Sequence, residues 1–394
     1  MSRVAVVGYA RTPVGSFLGQ FSTVPAPKLG AIAISAAVSR AGIDPALVES
    51  CLVGNVLQAG QGQAPGRQAA RYAGLSDAVR CVTINKVCGS GMQAIIDGAR
   101  EILVGDADVV VAAGMESMSQ APYVTKGMRT GARMGHETQL DSMIYDGLWD
   151  PYDDMHMGNC GELCAAKFKF SREEQDAFAI ESVKRAVSAQ ASGEFMDEIV
   201  PVELPQRKGD PLVISEDEGI GRASVEKIPG LRPAFQPEGG TITAANASSI
   251  NDGASALVLM SEKKVSELGL TPVAWLDSWA GAATEPKWFT IAPVQAMKQN
   301  LEKAGKTVAD MDLFEVNEAF AVVTMAAMAS LGLPHDKTNV RGGGLVLGHP
   351  IGCSGNRIVV TLLSTLKARG GKWGQASLCI GGGEALSLIV EMGA

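Results

Sequence analysis

The sequence has no long apolar run and no cluster of basic residues. None of its hydrophobic stretches approaches the ~20 consecutive apolar residues that a membrane-spanning helix needs. Lys and Arg are interspersed among the acidic residues, and the net charge is −8 over 394 residues. These absences argue against both a membrane protein and a nucleic-acid partner. With 46% hydrophobic residues, the chain can bury a large core spread over two or three domain-sized units.

Cysteine is also scarce, and its spacing is irregular. An odd number of cysteines at unrelated spacings does not indicate a disulfide framework. The N-terminus enters an apolar strand directly, without the pattern of a secretory signal. We therefore expect a cytoplasmic protein with free thiols, one or two of which are reactive. The seven cysteines are Cys51, Cys81, Cys88, Cys160, Cys164, Cys353 and Cys379.

Cys88 lies between a predicted strand and a predicted helix. The strand covers residues 81–84, and apolar residues at helical spacing follow from Ile95 to Leu103. Unpaired amides and the positive end of a helix dipole stabilise a thiolate, so this position predicts a nucleophilic cysteine with a lowered pKa. The alternative is a small buried hydrophobe at the start of a helix.

Strands alternate with helices over residues 3–114, which predicts a mostly parallel sheet covered on both faces. Residues 120–240 differ in composition and contain one clear helix, Arg172–Ala191, preceded by Ser171 and Glu174 in a capping-box arrangement. This stretch is interpreted as an insertion that carries binding rather than core. The sheet pattern resumes near residue 254.

The second part of the chain resembles the first. Cys88-Gly89-Ser90-Gly91 is matched by Gly352-Cys353-Ser354-Gly355, and each of the two segments opens a helix. Two similar α/β halves would point these corners at a shared site. The predicted units are an N-terminal half (1–119 and 241–265), the insertion (120–240) and a C-terminal half (266–394).

Three further residues of the second half are candidates for chemistry. Cys379 ends a predicted strand and is followed by glycines, whose amides, that of Gly381 included, can approach a ligand and stabilise an oxyanion. His349 lies on a glycine-rich loop before the repeated helix, where it is a candidate base. Asn317 is either a helix N-cap or a polar group aimed into the site.

Four motifs stand in the order in which the thiolase family carries them, and the chain resembles that family over essentially its whole length. The resemblance implies an α/β thiolase fold, in which two similar halves pack as a pseudo-dimer in five αβαβα layers with an inserted loop domain. The motifs are Val87-Cys88-Gly89-Ser90-Gly91-Met92, Asn317-Glu318-Ala319-Phe320, Gly348-His349-Pro350-Ile351-Gly352 and Cys379-Ile380-Gly381-Gly382-Gly383.

The resemblance also implies a reaction, the acetyl-CoA C-acetyltransferase reaction. Cys88 would attack an acyl-CoA with His349 as its base, and Cys379 would take an α-proton from acetyl-CoA so that the carbanion attacks the acyl group. His349 with a water held by Asn317 would form one oxyanion hole, and the amides of Cys88 and Gly381 the other. Acetyl-CoA, acetoacetyl-CoA and CoA are the implied substrates and products, without a further cofactor or a metal.

The insertion supplies the residues that the resemblance assigns to substrate binding. The segment from His156 to Gly158 is similar to that of short-chain biosynthetic thiolases and favours acetoacetyl-CoA. The i, i+4, i+8 spacing of His156, Cys160 and Cys164 also suits a metal, but no fourth ligand is evident. The implied substrate-binding residues are His156, Met157, Arg222, Phe235, Ala244, Ser248 and Phe289.

Several alternatives stay open at this point. Phe289 followed by Ile-Ala-Pro is similar to mitochondrial acetoacetyl-CoA thiolases, some of which accept 2-methyl-branched substrates. A degradative 3-ketoacyl-CoA thiolase of broad chain length, a ketoacyl-synthase-like enzyme and a catalytically silent CoA-binding paralogue are the rivals. Cys379 opposes the synthase, and the presence of all the catalytic candidates opposes the silent paralogue. Residues 128–144 are similar to the loop that joins thiolase dimers, so a homotetramer is expected, with a dimer as the alternative.

Overall fold

The computed structural model describes residues 3–393. Its strands are β1 (Val4–Arg11), β2 (Gly15–Ser16), β3 (Ser50–Gly54), β4 (Arg80–Ile84), β5 (Val109–Ser117), β6 (Tyr123–Thr125), β7 (Gln139–Asp141), β8 (Trp149–Asp150), β9 (Met155–His156), β10 (Val202–Leu204), β11 (Leu212–Ile214), β12 (Asn251–Ser261), β13 (Ala274–Ala283), β14 (Leu313–Val316), β15 (Trp373–Ile380) and β16 (Glu384–Met392).

The helices lie between these strands, and α5 has the predicted bounds. Ser171 and Glu174 form the predicted capping box at its start. No helix within residues 3–393 is both long enough and apolar enough to span a membrane. The α-helices are α1 (Ala26–Arg40), α2 (Pro65–Tyr72), α3 (Ser90–Val104), α4 (Met157–Phe168), α5 (Arg172–Ala191), α6 (Glu218–Arg222), α7 (Glu262–Leu268), α8 (Ala292–Ala304), α9 (Ala321–Leu331), α10 (Gly344–Leu347) and α11 (Ile351–Arg369).

The two halves of the chain share one strand order. The N-terminal strands follow the order β1-β12-β5-β3-β4, and the C-terminal strands follow β13-β16-β15-β14. A single bridge between Phe314 and Thr338 stands at the position that β4 occupies in the first half. Antiparallel pairing of β1 with β13, from Val4–Leu276 to Val6–Ala274, joins the halves at the centre. The repeat seen in the sequence is therefore a repeat of the fold.

The sheet is mixed, so the prediction of a mostly parallel sheet is wrong. Parallel pairing is confined to β3 with β4, β3 with β5 and β14 with β15 within the large sheet. Only Gly381, Gly382 and Gly383 separate β15 from β16, and so short a connection forces antiparallel pairing, because a parallel crossover needs a dozen or more residues. Strand β12 also pairs antiparallel with both of its neighbours, β1 and β5.

Five layers follow from the packing of the helices. Helices α1 and α2 cover the outer face of the N-terminal strands, and α8 and α9 cover the outer face of the C-terminal strands. Helices α3 and α11 lie side by side between the two sets of strands. The largest apolar cluster joins residues of both central helices to both sets, among them Ile95 and Leu362. The αβαβα arrangement brings the starts of α3 and α11 together.

Residues 120–240 fall outside the large sheet. Their strands form three two-stranded ribbons, β6 with β7, β8 with β9 and β10 with β11. Helix α4 begins beside the catalytic candidates, since Met157 shares a buried cluster with Cys379. Helix α5 packs against α10, immediately before the His349 loop.

Candidate active site

Cys88 lies in a tight turn between β4 and α3. Val87 has a φ of +45°, which is a rare conformation for a β-branched residue and is typical of strained functional turns. The buried Ser90 hydroxyl closes the turn, because it accepts the Lys86 N–H at 2.8 Å and donates to the Val87 carbonyl at 2.6 Å. The thiol is therefore held just before the first turn of α3. The sequence shows Ser90 between two glycines, but its role in closing this turn was not predicted.

The Cys88 thiol is not the stabilised thiolate that the helix terminus predicted. Burial raises its pKa to about 11, although the amides of Gly381 and of Cys88 itself act in the opposite direction. The residue keeps intermediate exposure, but desolvation of the sulfur outweighs the helix dipole. Cys88 is thus a neutral thiol at pH 7 and needs a base when it attacks.

Cys379 lies next to Cys88. It is the penultimate residue of β15 and is fully buried. Burial raises the pKa of its thiol well above the usual value, and the charge of a Cys88 thiolate raises it further. The same strand end presents the Gly381 amide to the Cys88 sulfur. The structure therefore brings two thiols and an amide donor to one point.

His349 is held on the loop between α10 and α11. Its backbone N–H donates to Asn251 Oδ1 at 2.9 Å, and its ring Nδ1 lies 2.6 Å from the Ser354 hydroxyl oxygen. Ring Nε2 is buried and has no hydrogen-bond partner among residues 3–393. Burial, and to a smaller extent the charge of Arg357, lowers the pKa of His349 to about 3. The ring is a neutral imidazole with one nitrogen available.

Asn317 lies beside His349 and is not a helix cap. Helix α9 begins at Ala321 with Phe320 as its N-cap, so the capping interpretation is wrong. The Asn317 side chain is buried, and its Nδ2 lies 3.4 Å from His349 Nδ1. Its Oδ1 has no hydrogen-bond partner in the described part of the chain. Buried polar atoms are usually paired, so these groups are suited to hold a polar atom of a ligand.

Comparison with known proteins agrees with this geometry. Residues 4–263 match the model of the thiolase N-terminal domain, and residues 270–392 match the thiolase C-terminal domain. The chain belongs to the thiolase family.

Named relatives cover nearly the full chain. Acetyl-CoA acetyltransferase 2 of Arabidopsis thaliana is 50% identical over 99% of this chain and 97% of the relative. Acetyl-CoA acetyltransferase of Cupriavidus necator is 50% identical over 99% of this chain and 100% of the relative. A probable acetyl-CoA acyltransferase of Staphylococcus aureus is 48% identical, covering 99% of both chains. The predicted family is thereby confirmed.

Aromatic and sulfur-containing side chains surround the thiols of this thiolase. Met157 and Phe289 are buried in one apolar cluster with Cys379. The His156 ring stacks on Phe235 with 4.8 Å between centroids, and its Nδ1 accepts the Gly158 N–H at 3.1 Å. The structure therefore places His156, Met157 and Phe289 beside the catalytic candidates.

The metal alternative at His156 gains no support from this arrangement. His156 Nδ1 is engaged in capping α4, whereas Cys160 and Cys164 are fully buried in the apolar cluster. Within residues 3–393, no three His, Cys, Asp or Glu side chains are placed to share a metal ion.

A cavity of about 650 Å³ lies on the insertion side of the site. Four of the predicted substrate-binding residues line it, namely Arg222, Phe235, Ala244 and Ser248. Phe235 also meets Phe320 edge to face at 6.4 Å, and the Ser248 N–H donates to Ala319 O at 2.9 Å. The cavity is thus connected to the segment that follows Asn317.

The rim of the cavity is basic. Arg222 is largely exposed and pairs with Glu218 at 2.5 Å. Lys227 also lines the cavity and has no ion pair within the described part of the chain. Lys227 was not predicted from the sequence, since nothing in its spacing marks it. A polyanionic group would meet both cations there.

Proposed function

We propose that this thiolase is an acetyl-CoA C-acetyltransferase. It condenses two molecules of acetyl-CoA to acetoacetyl-CoA and CoA, and it cleaves acetoacetyl-CoA in the reverse direction. The observation that carries the proposal is the pairing of two desolvated thiols, Cys88 and Cys379, with a neutral His349 on the loop that leads to Ile351, which packs in one apolar cluster with Cys88. The names of the Arabidopsis and Cupriavidus relatives support the same activity.

In the first step Cys88 attacks the thioester carbonyl of acetyl-CoA. Both Cys88 and His349 are neutral at rest, so His349 Nε2 takes the thiol proton as the S–C bond forms. The amides of Cys88 and Gly381 stabilise the oxyanion of the tetrahedral intermediate. Cys379 gives its proton to the departing CoA sulfur and becomes a thiolate, His349 keeps the proton taken from Cys88, and an acetyl group remains on Cys88.

In the second step Cys379 removes a methyl proton from another acetyl-CoA. Burial keeps the Cys379 thiol pKa high, so the thiolate formed when Cys379 protonated CoA is a strong base for a weak carbon acid. The protonated His349 Nε2–H and a water held by Asn317 donate hydrogen bonds to the enolate oxygen. The carbanion then attacks the acetyl group of Cys88, the Cys88 sulfur leaves and takes back its proton from His349, and acetoacetyl-CoA is released.

The cavity beside Ser248 suits the pantetheine arm of CoA, and Arg222 and Lys227 suit its phosphates. His156, Phe235 and Ala244 would border the arm, as Met157 and Phe289 border the acyl group. CoA is a substrate and product here. The proposed steps use neither a metal nor a redox cofactor, because the nucleophile, the bases and the oxyanion donors all belong to the chain.

A short acyl chain fits the surroundings of Cys379. Met157 and Phe289 are 8% and 2% exposed and pack in the same cluster as Cys379, so bulky side chains occupy the space that a long chain would need. The Staphylococcus relative carries the broader name of acyltransferase. A broad-chain enzyme is therefore the alternative that the test must distinguish.

The test is CoA-dependent cleavage of acetoacetyl-CoA, a C6 to C16 series of 3-ketoacyl-CoAs and the 2-methyl analogue. Wild type should prefer acetoacetyl-CoA, and Cys88→Ser should lose cleavage by at least a thousand-fold. Cys353→Ser, which changes a buried thiol outside the proposed steps, is the matched control. A maximum at longer chains would overturn the short-chain assignment, and cleavage retained by Cys88→Ser would overturn the nucleophile.

We also propose that residues 120–240 form an inserted unit that contributes to CoA binding and joins dimers into a homotetramer. The other units are the N-terminal half (1–119, 241–265) and the C-terminal half (266–394). Exposed apolar side chains in the insertion support self-association, with Tyr123 at 66% and Met134 at 101% exposure. Light scattering of wild type and Met134→Lys tests this. The seven free thiols support a reducing, cytoplasmic location.

A further inference from the structure

Cys51 and Cys81 occupy paired positions on the neighbouring parallel strands β3 and β4. Both side chains face the apolar cluster beneath α1 and α2, where Cys51 is fully buried and Cys81 is partly buried. Neighbouring strands lie about 4.8 Å apart, and disulfides join Cα atoms separated by roughly 4.4–6.8 Å. The two thiols are therefore within bonding reach without a change of register.

Arg67 of α2 points its charge at this pair. Its Nη1 lies 3.7 Å from Cys81 Sγ and also donates to the Val79 carbonyl. Its Nη2 donates to the Asp77 carbonyl at 2.7 Å. The Asp77 carboxylate is 4.0 Å away and its side chain is 81% exposed, so solvent weakens its hold on the cation. Backbone carbonyls thus fix a guanidinium against one sulfur.

The two thiols differ in chemistry. The Cys51 thiol donates to Cys81, and this hydrogen bond and then Arg67 lower the pKa of Cys81 to about 6 despite partial burial. The same bond and full burial raise the pKa of Cys51 well above its usual value. Burial raises the pKa of each of the other cysteines instead, Cys88, Cys160, Cys164, Cys353 and Cys379.

We propose that Cys51 and Cys81 form a peroxide-reactive dithiol that is separate from the catalytic thiols. The Cys81 thiolate attacks a peroxide oxygen, the O–O bond breaks, and Cys81 becomes a sulfenic acid while hydroxide leaves. The Cys51 sulfur then attacks the Cys81 sulfur, the S–O bond breaks, and the Cys51 proton leaves with the hydroxyl group as water. Peroxide is reduced by two electrons, and a Cys51–Cys81 disulfide results.

The Cys51–Cys81 pair is connected to the active site through strand β4. Strand β4 runs from Cys81 into the strained turn at Val87 and then to Cys88. A disulfide would tie the beginning of this strand to β3. The inference does not depend on the proposed acetyltransferase activity, because its readout is a covalent bond between two residues that take no part in the reaction.

The experiment treats the full chain with stoichiometric hydrogen peroxide at pH 7. Free thiols are then blocked with N-ethylmaleimide and the peptides are mapped without reduction. We expect a Cys51–Cys81 linked peptide to form before any oxidation of Cys88. Cys51→Ala removes the hydrogen bond that lowers the Cys81 pKa most, so a sulfenic acid that dimedone traps should form at Cys81 more slowly than the wild-type bridge, with Arg67 as the remaining activating group. Cys81→Ser should abolish the bridge. Cys353→Ser should form the bridge at the wild-type rate.

Arg67→Gln tests the cause of the reactivity. Loss of the cation reduces the thiolate fraction, and the higher intrinsic nucleophilicity of a less acidic thiol offsets part of that loss. We expect the bridge to form roughly ten-fold more slowly, with partial recovery in Arg67→Lys. Thermal melting confirms that each variant is folded. A Cys88–Cys379 bridge that forms first, or a Cys81 that stays reduced while other thiols oxidise, overturns the proposal.

Discussion

His349 Nδ1 lies 2.6 Å from the hydroxyl oxygen of Ser354. The Ser354 hydroxyl in turn donates its proton to the Pro350 carbonyl at 2.9 Å. The hydroxyl therefore accepts from His349, which places the ring proton on Nδ1 and leaves the lone pair on Nε2. In this tautomer the Asn317 amide, whose Nδ2 lies 3.4 Å from Nδ1, must turn its oxygen toward that nitrogen, because two donors cannot bond each other. Ser354, one turn into α11, thus favours the tautomer in which His349 Nε2 is unprotonated and can accept the thiol proton.

Ser354→Ala should consequently reduce turnover more than substrate binding. The change leaves a buried Nδ1–H without a partner, which costs about 1–3 kcal/mol and favours the wrong tautomer. We expect kcat for acetoacetyl-CoA cleavage to fall roughly ten- to hundred-fold with a KM near that of wild type. Cys353→Ser, one residue earlier on α11, is the control. A change confined to KM would contradict the tautomer role.

The alkylation of two cysteines should follow pH differently. Burial raises the pKa of Cys88 to about 11, whereas the Cys51 hydrogen bond and Arg67 lower that of Cys81 to about 6. Iodoacetamide reacts with thiolates. At pH 7 it should label Cys81 first, and the Cys88 rate should rise about ten-fold per pH unit from pH 7 to pH 10.

Peptide mass spectrometry at timed intervals measures both rates. The Cys81 rate should be nearly constant over the same range, because this thiol is already ionised. Selective labelling of Cys88 at pH 7 would instead show that the helix terminus lowers the pKa of the Cys88 thiol more than burial raises it. Cys88→Ser provides the control for misassigned peptides.

The free energy of unfolding should fall as pH rises from about 5 to 8. Burial raises the pKa of Glu315 to about 8 and that of Glu116 to about 7, from an ordinary 4.5. A carboxyl with a raised pKa binds more protons folded than unfolded, so its stabilising contribution is complete below the unfolded pKa and is lost as pH rises through the folded pKa. His349, whose pKa is lowered, acts with the opposite sign below its unfolded value of 6.5.

Glu315→Gln isolates one contribution to that slope. The variant cannot ionise at this position, so its free energy of unfolding should decline less between pH 6 and pH 8 than that of wild type. The difference between the two declines should be on the order of 1–3 kcal/mol, and the melting temperatures should follow the same order. Differential scanning calorimetry at several pH values measures this. An unchanged slope would show that Glu315 is not protonated in the fold at pH 6.

Local signals in the sequence predicted where several helices begin, whereas the pairing of strands distant in sequence was harder to predict. The Ser171–Glu174 capping box fixed the start of α5, and the repeated glycine-serine corners identified the two central helices. The prediction of a mostly parallel sheet was wrong because the alternation of strands and helices does not show that β12, which follows the insertion, pairs antiparallel with β1 and β5. Motif order placed Cys88, His349 and Cys379 in one site.

Quantities that depend on surroundings could not be predicted. The helix terminus at Cys88 suggested a thiolate, but the desolvation that dominates its pKa arises from residues distant in sequence. Ser354 and Lys227 were missed for the same reason, since their roles follow from what they face. The Cys51–Cys81 pair depends on strand register, which periodicity alone does not give.

The crossing of α3 and α11 offers a sharp test of how closely the halves fit. A Cβ on Gly91 would lie 2.7 Å from the Asn356 amide nitrogen, and one on Gly355 would lie 2.6 Å from that of Met92. Both obstacles are backbone atoms of the opposite helix, so neither can rotate away. Any side chain at Gly91 must push the two central helices apart.

Gly91→Ala should therefore lower the unfolding free energy by about 2–4 kcal/mol, with a clear fall in melting temperature. Gly221→Ala is the matched control, because it adds the same methyl group to helix α6, where nothing lies within 4 Å of the new Cβ. That variant should be neutral or stabilising by about 0.5–1 kcal/mol. The shift at Gly91 also moves the first turn of α3, so cleavage of acetoacetyl-CoA should fall at temperatures well below the melting point. Equal melting temperatures for the two variants would show that the helices can separate freely, and the close crossing would then not be what holds Cys88 beside the His349 loop.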